Sequence, residues 1–432
     1  MVGAGPASLA AAQAIRERDS LAEITVVSGE SHGYYSRPGL AYLLAKEETE
    51  QQLFPFTRAD LAATGVRFVF GRAVSIDREA RRVRLDDGQS LPYDRLLLAT
   101  GSAAIPLRVP GADLDGVTKL DDLDDARGLI ARGRSARAAV VVGGGSTALE
   151  IVEGLRARRV RVHYLMRKGR YWSDVLSEPE SRIVEQGLRE RGIEIHYFAE
   201  LAAVLGERGR VVGVETTDGS RLRCDLVGVA IGVRPQNQLA EDARLACDRG
   251  ALVDAYLRTS DERIFAAGDL AETLGARSGR REIEVLWSSA VAKGRVAGRN
   301  MADEPVETYA TGVPLNVTRI GGFKVTIVGT VGGGNDADLE GLSRGDSEGW
   351  RGLGDARTLE WEDAKARVRL ALGEREILGA IVMGDQRLSF ALQDLVESGA
   401  EAAPLVQQLR QPGAPAEQLI GRFHEDRKAR RV

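Results

Sequence analysis

The chain has 432 residues, 59 Lys+Arg against 63 Asp+Glu, and is 43% hydrophobic and 28% charged. That length exceeds what one core usually supports and predicts two or three domains, with the composition of a globular chain rather than a disordered one. The near-balance of charge excludes a general attraction to nucleic acid or anionic membranes. No run of about 18 apolar residues and no basic, apolar leader precedes the first motif, so a cytoplasmic location is expected. Cys224 and Cys247 match no disulfide framework and no metal-ligand spacing; buried structural thiols are expected, and no metal.

Gly3-Ala4-Gly5-Pro6-Ala7-Ser8 opens a helix from Ala7 to Arg18 that leads into a strand from Ile24 to Val27. The glycines permit a tight turn and let backbone N–H groups approach a pyrophosphate, while the helix aims its positive end at that charge. Ser8 stands where a third glycine or alanine usually allows close helix–strand packing. Only Met1 and Val2 precede Gly3, whereas such a unit needs a central strand of about five residues. Either the start is truncated ahead of that strand, the favoured expectation, or the chain builds the site with a stub; a chain that begins at Met1 is expected to bind flavin weakly. Glu30, just past the strand, is the candidate acceptor for an adenosine ribose hydroxyl, against the alternative of a solvated loop charge. Strands follow at Val66 to Phe70, Val83 to Leu85 and Leu96 to Ala99, with Asp86-Asp87-Gly88 as a hairpin turn.

The apolar run from Ala138 to Val142 precedes a second turn, Gly143-Gly144-Gly145-Ser146-Thr147-Ala148, in which Gly143, Gly145 and Ala148 complete the dinucleotide fingerprint. A helix to Arg158 and strands at Val160 to Leu165, Ile193 to Tyr197, Val211 to Thr216 and Leu226 to Ile231 follow. At the end of the first of these, Leu165-Met166-Arg167-Lys168 offers no carboxylate to a ribose; Arg167 and Lys168 suit a 2′-phosphate and tilt the choice toward NADPH, unless they are plain surface charges. After about residue 310 come strands at Val317 to Ile320, Lys324 to Gly329, Val368 to Leu372 and Ile377 to Met383, a helix from Phe390 to Glu397, and a loop over residues 332–346. Alternating strands and helices predict an α/β architecture. Two dinucleotide turns in one chain point to a flavin and a nicotinamide held face to face for hydride exchange.

Leu96-Leu97-Leu98-Ala99-Thr100-Gly101, the stretch Thr259 to Asp269 ending Ala266-Ala267-Gly268-Asp269, Tyr93-Asp94-Arg95-Leu96 and Gly232-Val233-Arg234-Pro235 stand in fixed order along the chain. With them the sequence resembles, over essentially its whole length, the two-dinucleotide flavoprotein reductases related to the disulfide reductases. The resemblance implies two Rossmann-like domains of the three-layer ββα type and a C-terminal α+β domain. The expected boundaries are 1–112 with 236–310 for FAD, 113–235 for NAD(P), and 311–432 for a dimer-interface or acceptor-side domain. It implies that Thr100 and Gly101 close the flavin domain against the nicotinamide domain, that Gly232 leads the chain back, and that Asp269 accepts a hydrogen bond from the flavin ribityl chain.

His32-Gly33-Tyr34-Tyr35-Ser36-Arg37-Pro38-Gly39-Leu40 holds no cysteine. It resembles the Tyr-x-Arg-Pro stretch of rubredoxin and ferredoxin reductases and of the flavin portion of assimilatory nitrite reductase. By resemblance Arg37 pairs with the flavin pyrophosphate, Pro38 lies beside the isoalloxazine, and Glu150 approaches the nicotinamide and flavin as the catalytic carboxylate; a helix-start carboxylate favoured by the dipole is the alternative. Relatives often carry a lysine where Tyr42 stands, with Lys46 one turn further, and an aromatic at Ser146 that covers the flavin; serine leaves the flavin open or covered from elsewhere. The helix from Leu286 to Asn300, with Ser288 or Ser289 as N-cap, would face reduced flavin with its positive end. Trp287 either stacks near the ring or packs in the core; Phe323 and Trp350 either line the acceptor side of the flavin or, as expected first, pack in the core. The basic end from His424 to Arg431 either docks an acidic carrier or is solvated. Without a reactive thiol no disulfide step is available. The expectation is a FAD-dependent NAD(P)H oxidoreductase delivering electrons to a small redox protein, rubredoxin- or ferredoxin-like, or to a partner subunit. The alternatives are a quinone or oxygen reductase, and a non-catalytic flavin-bound NAD(P)H sensor.

Overall fold

The computed structural model describes the chain apart from residues 57–59, 61–62, 276–278, 304–306, 333–341, 343, 353–355, 363–365, 432 and the Arg431 side chain. Its first unit is built on a parallel sheet. Ile24–Ser28 pairs with Val66–Phe70, and Leu96–Leu98 pairs with Ile264–Ala266. Between these pairs Val2 makes parallel bridges to both Val27 and Leu98. The Val2 N–H donates to Leu97 O at 2.8 Å and the Gly3 N–H donates to Val27 O at 2.8 Å. The central slot, for which about five residues were expected, is thus filled by Met1 to Gly3. The runs Leu96–Leu98 and Ile264–Ala266 are buried at every position, as strands covered on both faces must be.

One face of this sheet is covered by two helices, Pro6–Arg18 and Trp287–Ala302, that meet at unusually close range. A Cβ at Gly294 would lie 2.1 Å from Ala7 O, and one at Gly298 would lie 2.4 Å from Ala11 O. Two glycines one turn apart therefore let the helix backbones touch, which brings both helix N-termini to the same edge of the sheet. An antiparallel meander, Ala73–Asp77, Arg82–Leu85 and Ser90–Pro92, completes the unit, with Gly88 at φ 87° in its hairpin.

The second unit is a five-stranded parallel sheet in the order Glu194–Tyr197, Arg161–Met166, Ala138–Val142, Leu226–Val229, Val117–Lys119. Helices Leu123–Arg132, Ser146–Arg156 and Glu178–Glu190 pack beside it, and a three-stranded meander over 201–223 covers the opposite face. Each unit is joined to the other by one antiparallel strand pair, Ser102–Ala104 with Val233–Pro235.

The last third forms a five-stranded antiparallel sheet, ordered Leu315–Ile320, Phe323–Gly329, Ile377–Gly384, Ala366–Leu372, Arg357–Glu362. Helices Ser389–Glu397, Ala403–Leu409 and Ala416–Arg431 pack on it. Four of these strands were expected. The fifth was not, because Arg357–Glu362 is an edge strand rich in charge with no buried position. Arg369 fastens this sheet to the second unit: its guanidinium meets Glu180 Oε1 at 3.0 Å and donates to Val175 O at 2.6 Å and to Val331 O, all in buried surroundings. Most of the loop expected over residues 332–346 lies outside the described residues. Cys224 is buried as expected, its thiol pushed up to about 11 by that burial, while Cys247 is half-buried.

Candidate functional site

At the first glycine turn Gly3 adopts φ 104°, and a Cβ there would lie 2.1 Å from Ala99 O. Only glycine lets the chain cross the Ala-Thr-Gly turn at that distance. Gly5 is the N-cap of helix Pro6–Arg18 and supplies no side-chain cap, so the first N–H groups of the helix face outward without a side-chain partner. Ala7 and Ser8 are buried behind the turn, and the Ser8 hydroxyl lacks a partner. Helix Trp287–Ala302 is equally bare. Its N-cap is Leu286, not Ser288 or Ser289 as expected, because the Ser289 hydroxyl donates instead to Glu284 Oε2 at 2.6 Å.

Two bare helix ends converge on one half-buried carboxylate. Asp269 follows Gly268, whose φ of 72° turns the chain beside Ala7. Burial raises the Asp269 pKa, opposed by a 2.7 Å hydrogen bond donated by Ser102 and by the charges of Lys293 and Arg37. Lys293 lies fully buried under the site, donating to Ala271 O at 3.2 Å, 3.8 Å from Glu284 Oε2 and 5.9 Å from the Tyr309 ring centre. Burial depresses its pKa and Glu284 opposes that shift.

The Tyr-x-Arg-Pro segment closes the other wall. Glu30 holds both of its neighbours, Arg37 by an ion pair and Tyr35, whose hydroxyl donates at 2.7 Å. Arg37 also donates to Asp121 O at 2.5 Å. Pro38 is exposed and begins helix Gly39–Ala45. Lys46 is the left-handed C-cap of that helix, with φ 63°, and its side chain is exposed at the far end, away from the helix start at Pro38. Trp287 is 53% exposed, which overturns a core role; its indole N–H points to Tyr34 Oη at 3.4 Å, and Tyr34 stacks at 6.0 Å on Phe56. Trp350 is fully buried as expected, but Phe323 is 37% exposed at a strand start.

At the second turn Gly143 has φ 141°, and its Cβ would meet Ala230 O at 2.0 Å. Gly145 caps helix Ser146–Arg156 without a side-chain bond, leaving a second outward-facing set of N–H groups. Ser146, Thr147 and Ala148 are buried, and the Thr147 hydroxyl has no partner among the described residues. Glu150 falls on the second turn of this helix rather than the first. Burial, with help from Glu153, pushes its pKa up to about 7. Arg167 is exposed, whereas Lys168 donates to Asp174 Oδ1 at 2.7 Å, so one of the two expected cations is already paired. The Thr100 hydroxyl donates to Gln236 O at 3.1 Å and the Gln236 amide donates to Thr100 O at 2.7 Å, tying Thr100 and Gly101 to the strand that follows Gly232. Gly232 itself has φ 118°.

Between the two turns lies a short piece of the C-terminal third that the sequence did not place there. The Val233 N–H donates to Leu342 O at 2.7 Å, the Ser146 hydroxyl donates to Arg344 O at 2.6 Å, and Arg344 pairs with Asp121. The side chain at the position where relatives were expected to carry an aromatic is therefore tied to the backbone of the C-terminal third. Burial and the nearby Arg37 lower the Arg344 pKa to about 9. Ser102, Lys293, Tyr35 and Arg344 were missed. Lys293 left a signal in the sequence, a lone cation three residues past Ala290 on the helix face that carries Gly294 and Ala297.

The model of the pyridine nucleotide-disulphide oxidoreductases matches residues 1–294. The chain belongs to that family. Similar proteins include the ferredoxin–NAD(+) reductase component of the biphenyl dioxygenase system of Paraburkholderia xenovorans (strain LB400), 32% identical over 79% of this chain and 83% of that protein. The corresponding component of the anthranilate 1,2-dioxygenase system of Burkholderia cepacia is 35% identical over 70% of this chain and 74% of its own. Among solved structures, the ferredoxin reductase for the CYP199A2 system of Rhodopseudomonas palustris superposes with a TM-score of 0.84 at 24% identity, covering 96% of this chain and 98% of that one. As a family member this chain is an oxidoreductase whose cofactors are FAD and a pyridine nucleotide, on an α/β fold of Rossmann-like units. The disulphide in the family's name has no counterpart here: neither Cys224 nor Cys247 lies at either glycine turn.

Proposed function

We propose that this oxidoreductase takes a hydride from NAD(P)H and passes the electrons to a small redox protein of the ferredoxin or rubredoxin type. The observation that carries the reading is the pairing of two uncapped glycine turns across one strand pair, with the half-buried Asp269 at the first and no thiol at either. FAD, when bound, would accept one hydride, an electron pair with its proton, and release the two electrons singly. The residues of the first turn suit it: a glycine cradle at Gly3 and Gly5 backed by Pro6, Ala7 and Ser8, and two bare helix ends for anionic groups.

In this reading Asp269 accepts from the ribityl chain, Arg37 neutralises the pyrophosphate, and Glu30 accepts from the adenosine ribose while Tyr35 and Arg37 hold it in place. Pro38 and Trp287 border the ring; the exposed indole, with Tyr34 and Phe56, offers an apolar exit toward an acceptor. Gly143, Gly145, Ser146, Thr147 and Ala148 receive the pyridine nucleotide, with Thr100, Gly101 and Gly232 at the crossing between the halves. Glu150, poised at about 7, holds or releases a proton beside the nicotinamide. The same proposal divides the chain at 1–112 with 236–310, 113–235 and 311–432, and places it in the cytoplasm, where reduced nicotinamide is generated.

The relatives named above are NAD(+) reductases, while exposed Arg167 and the lack of a carboxylate from Met166 to Lys168 favour a 2′-phosphate. Steady-state reduction of an artificial acceptor decides this point. NADPH is expected to show the higher kcat/KM, and Arg167→Ala to erase that preference by raising KM for NADPH alone; an unchanged ratio in the variant assigns Arg167 to the surface.

A further inference from the structure

Two of the chain's four histidines meet outside the nucleotide site, at the edge of the second unit's parallel sheet. In the register of Arg161–Met166 against Glu194–Tyr197, His163 stands opposite Glu194. Side chains alternate along a strand, so His196, two residues on, shares the face of Glu194. His163 Nδ1 lies 3.2 Å from His196 Nε2 and 3.2 Å from Glu194 Oε2. The three ligand atoms all lie within 4.8 Å of one another. Metal–nitrogen and metal–oxygen bonds of about 2.0–2.2 Å at tetrahedral angles separate ligand atoms by about 3.3 Å. Both contacts to His163 match that spacing before any cation is added.

We propose that His163, Glu194 and His196 form a binding site for a borderline divalent transition cation such as Zn2+, which clamps the edge strand Glu194–Tyr197 to its neighbour. Two imidazoles and one carboxylate are the donor set that such a cation takes, and imidazole excludes the hard cations Mg2+ and Ca2+. His163 is buried and His196 half-buried, so the two rings are fixed by the sheet, tilted 45° with centres 5.4 Å apart. Glu194 has a half-exposed side chain, which leaves the remaining coordination position open to water. Burial lowers the His163 pKa, against the pull of Glu194 and with the help of His196 and Arg161.

The test is zinc binding to the FAD-loaded full chain carrying no polyhistidine tag, by competition with a chromogenic chelator and by X-ray absorption at the zinc edge. The expected result is one equivalent bound at micromolar zinc, with two imidazole nitrogens at about 2.0 Å. His196→Asn, at a half-exposed edge position, should lower the affinity at least tenfold, and Glu194→Gln should lower it less. His163→Gln provides a second ligand deletion, with circular dichroism reporting that each variant is folded. Absence of stoichiometric binding, an edge spectrum without imidazole, or affinity unchanged in both folded histidine variants overturns the site.

Discussion

Glu150 is the residue whose chemistry is most exposed to a direct check. Burial raises its pKa from the ordinary carboxyl value to about 7, so the fold prefers the neutral acid. A raised folded-state pKa contributes stability that is fully present below about 4.5 and is lost as pH climbs through about 7. The Tm of the wild type relative to Glu150→Gln should therefore fall between pH 5 and pH 8. The rate of flavin reduction should bend near pH 7 in the wild type and flatten in the variant, as read by stopped-flow absorbance; an identical bend in both removes Glu150 from the chemistry. Asp269 should act on binding rather than on rate. Asp269→Ala removes a charged hydrogen-bond acceptor worth about 1.5–3 kcal/mol, which corresponds to roughly ten- to hundredfold weaker FAD retention by flavin titration of the apoprotein. Glycines and Asp269 were legible in the sequence because the tight turn and the carboxylate demand those residue types. Lys293 and Arg344 were not, since their roles depend on what a distant segment brings to them: Tyr309 and Glu284 for the one, Asp121 and Ser146 for the other.

At the scale of elements, the helix pair Pro6–Arg18 and Trp287–Ala302 sets the site by contact of backbone with backbone. A side chain at Gly294 or Gly298 has no room, since its Cβ would lie within 2.4 Å of Ala7 or Ala11 carbonyl oxygen. Gly298→Val is expected to destabilise by about 1–3 kcal/mol or more through overpacking and to release FAD by swinging the second helix end away. Thermal melts and retained flavin absorbance measure both effects, and a variant that keeps its Tm contradicts the close packing. The helix was legible from its composition, yet its cap was not. Ser288 and Ser289 look like N-cap residues, but buried Glu284 takes the Ser289 hydroxyl and the cap falls to Leu286. The tail is a similar case: helix Ala416–Arg431 buries His424 against Phe390 of helix Ser389–Glu397 and lays Lys428 over the same ring at 5.2 Å, so the basic run is not one uniform docking face. Buried strands of the parallel sheets such as Leu96–Leu98 and Ala138–Val142 were legible because they write continuous apolar runs, and edge strands such as Arg357–Glu362 do not.

Across the whole molecule, three units converge on one space between two glycine turns, and the third unit reaches into it through Leu342 and Arg344. That reach was invisible in the sequence because a loop carries no periodicity to read, whereas the two dinucleotide units were legible from turn residues and strand runs alone. Neither cysteine stands at a glycine turn, so in the proposed reading electrons leave the flavin side outward rather than to a thiol, and the exposed Trp287 is the proposed exit. Trp287→Ala is expected to leave reduction by the nicotinamide unchanged while slowing transfer to a protein acceptor several-fold; equal transfer rates would place the exit elsewhere. The most direct test of the account is anaerobic stopped-flow mixing of the FAD-loaded chain with NADPH or NADH, followed by an iron–sulfur ferredoxin. The account predicts that the flavin absorbance bleaches within a catalytic turnover and recovers as the ferredoxin is reduced. A persistent long-wavelength charge-transfer band with negligible turnover would contradict it.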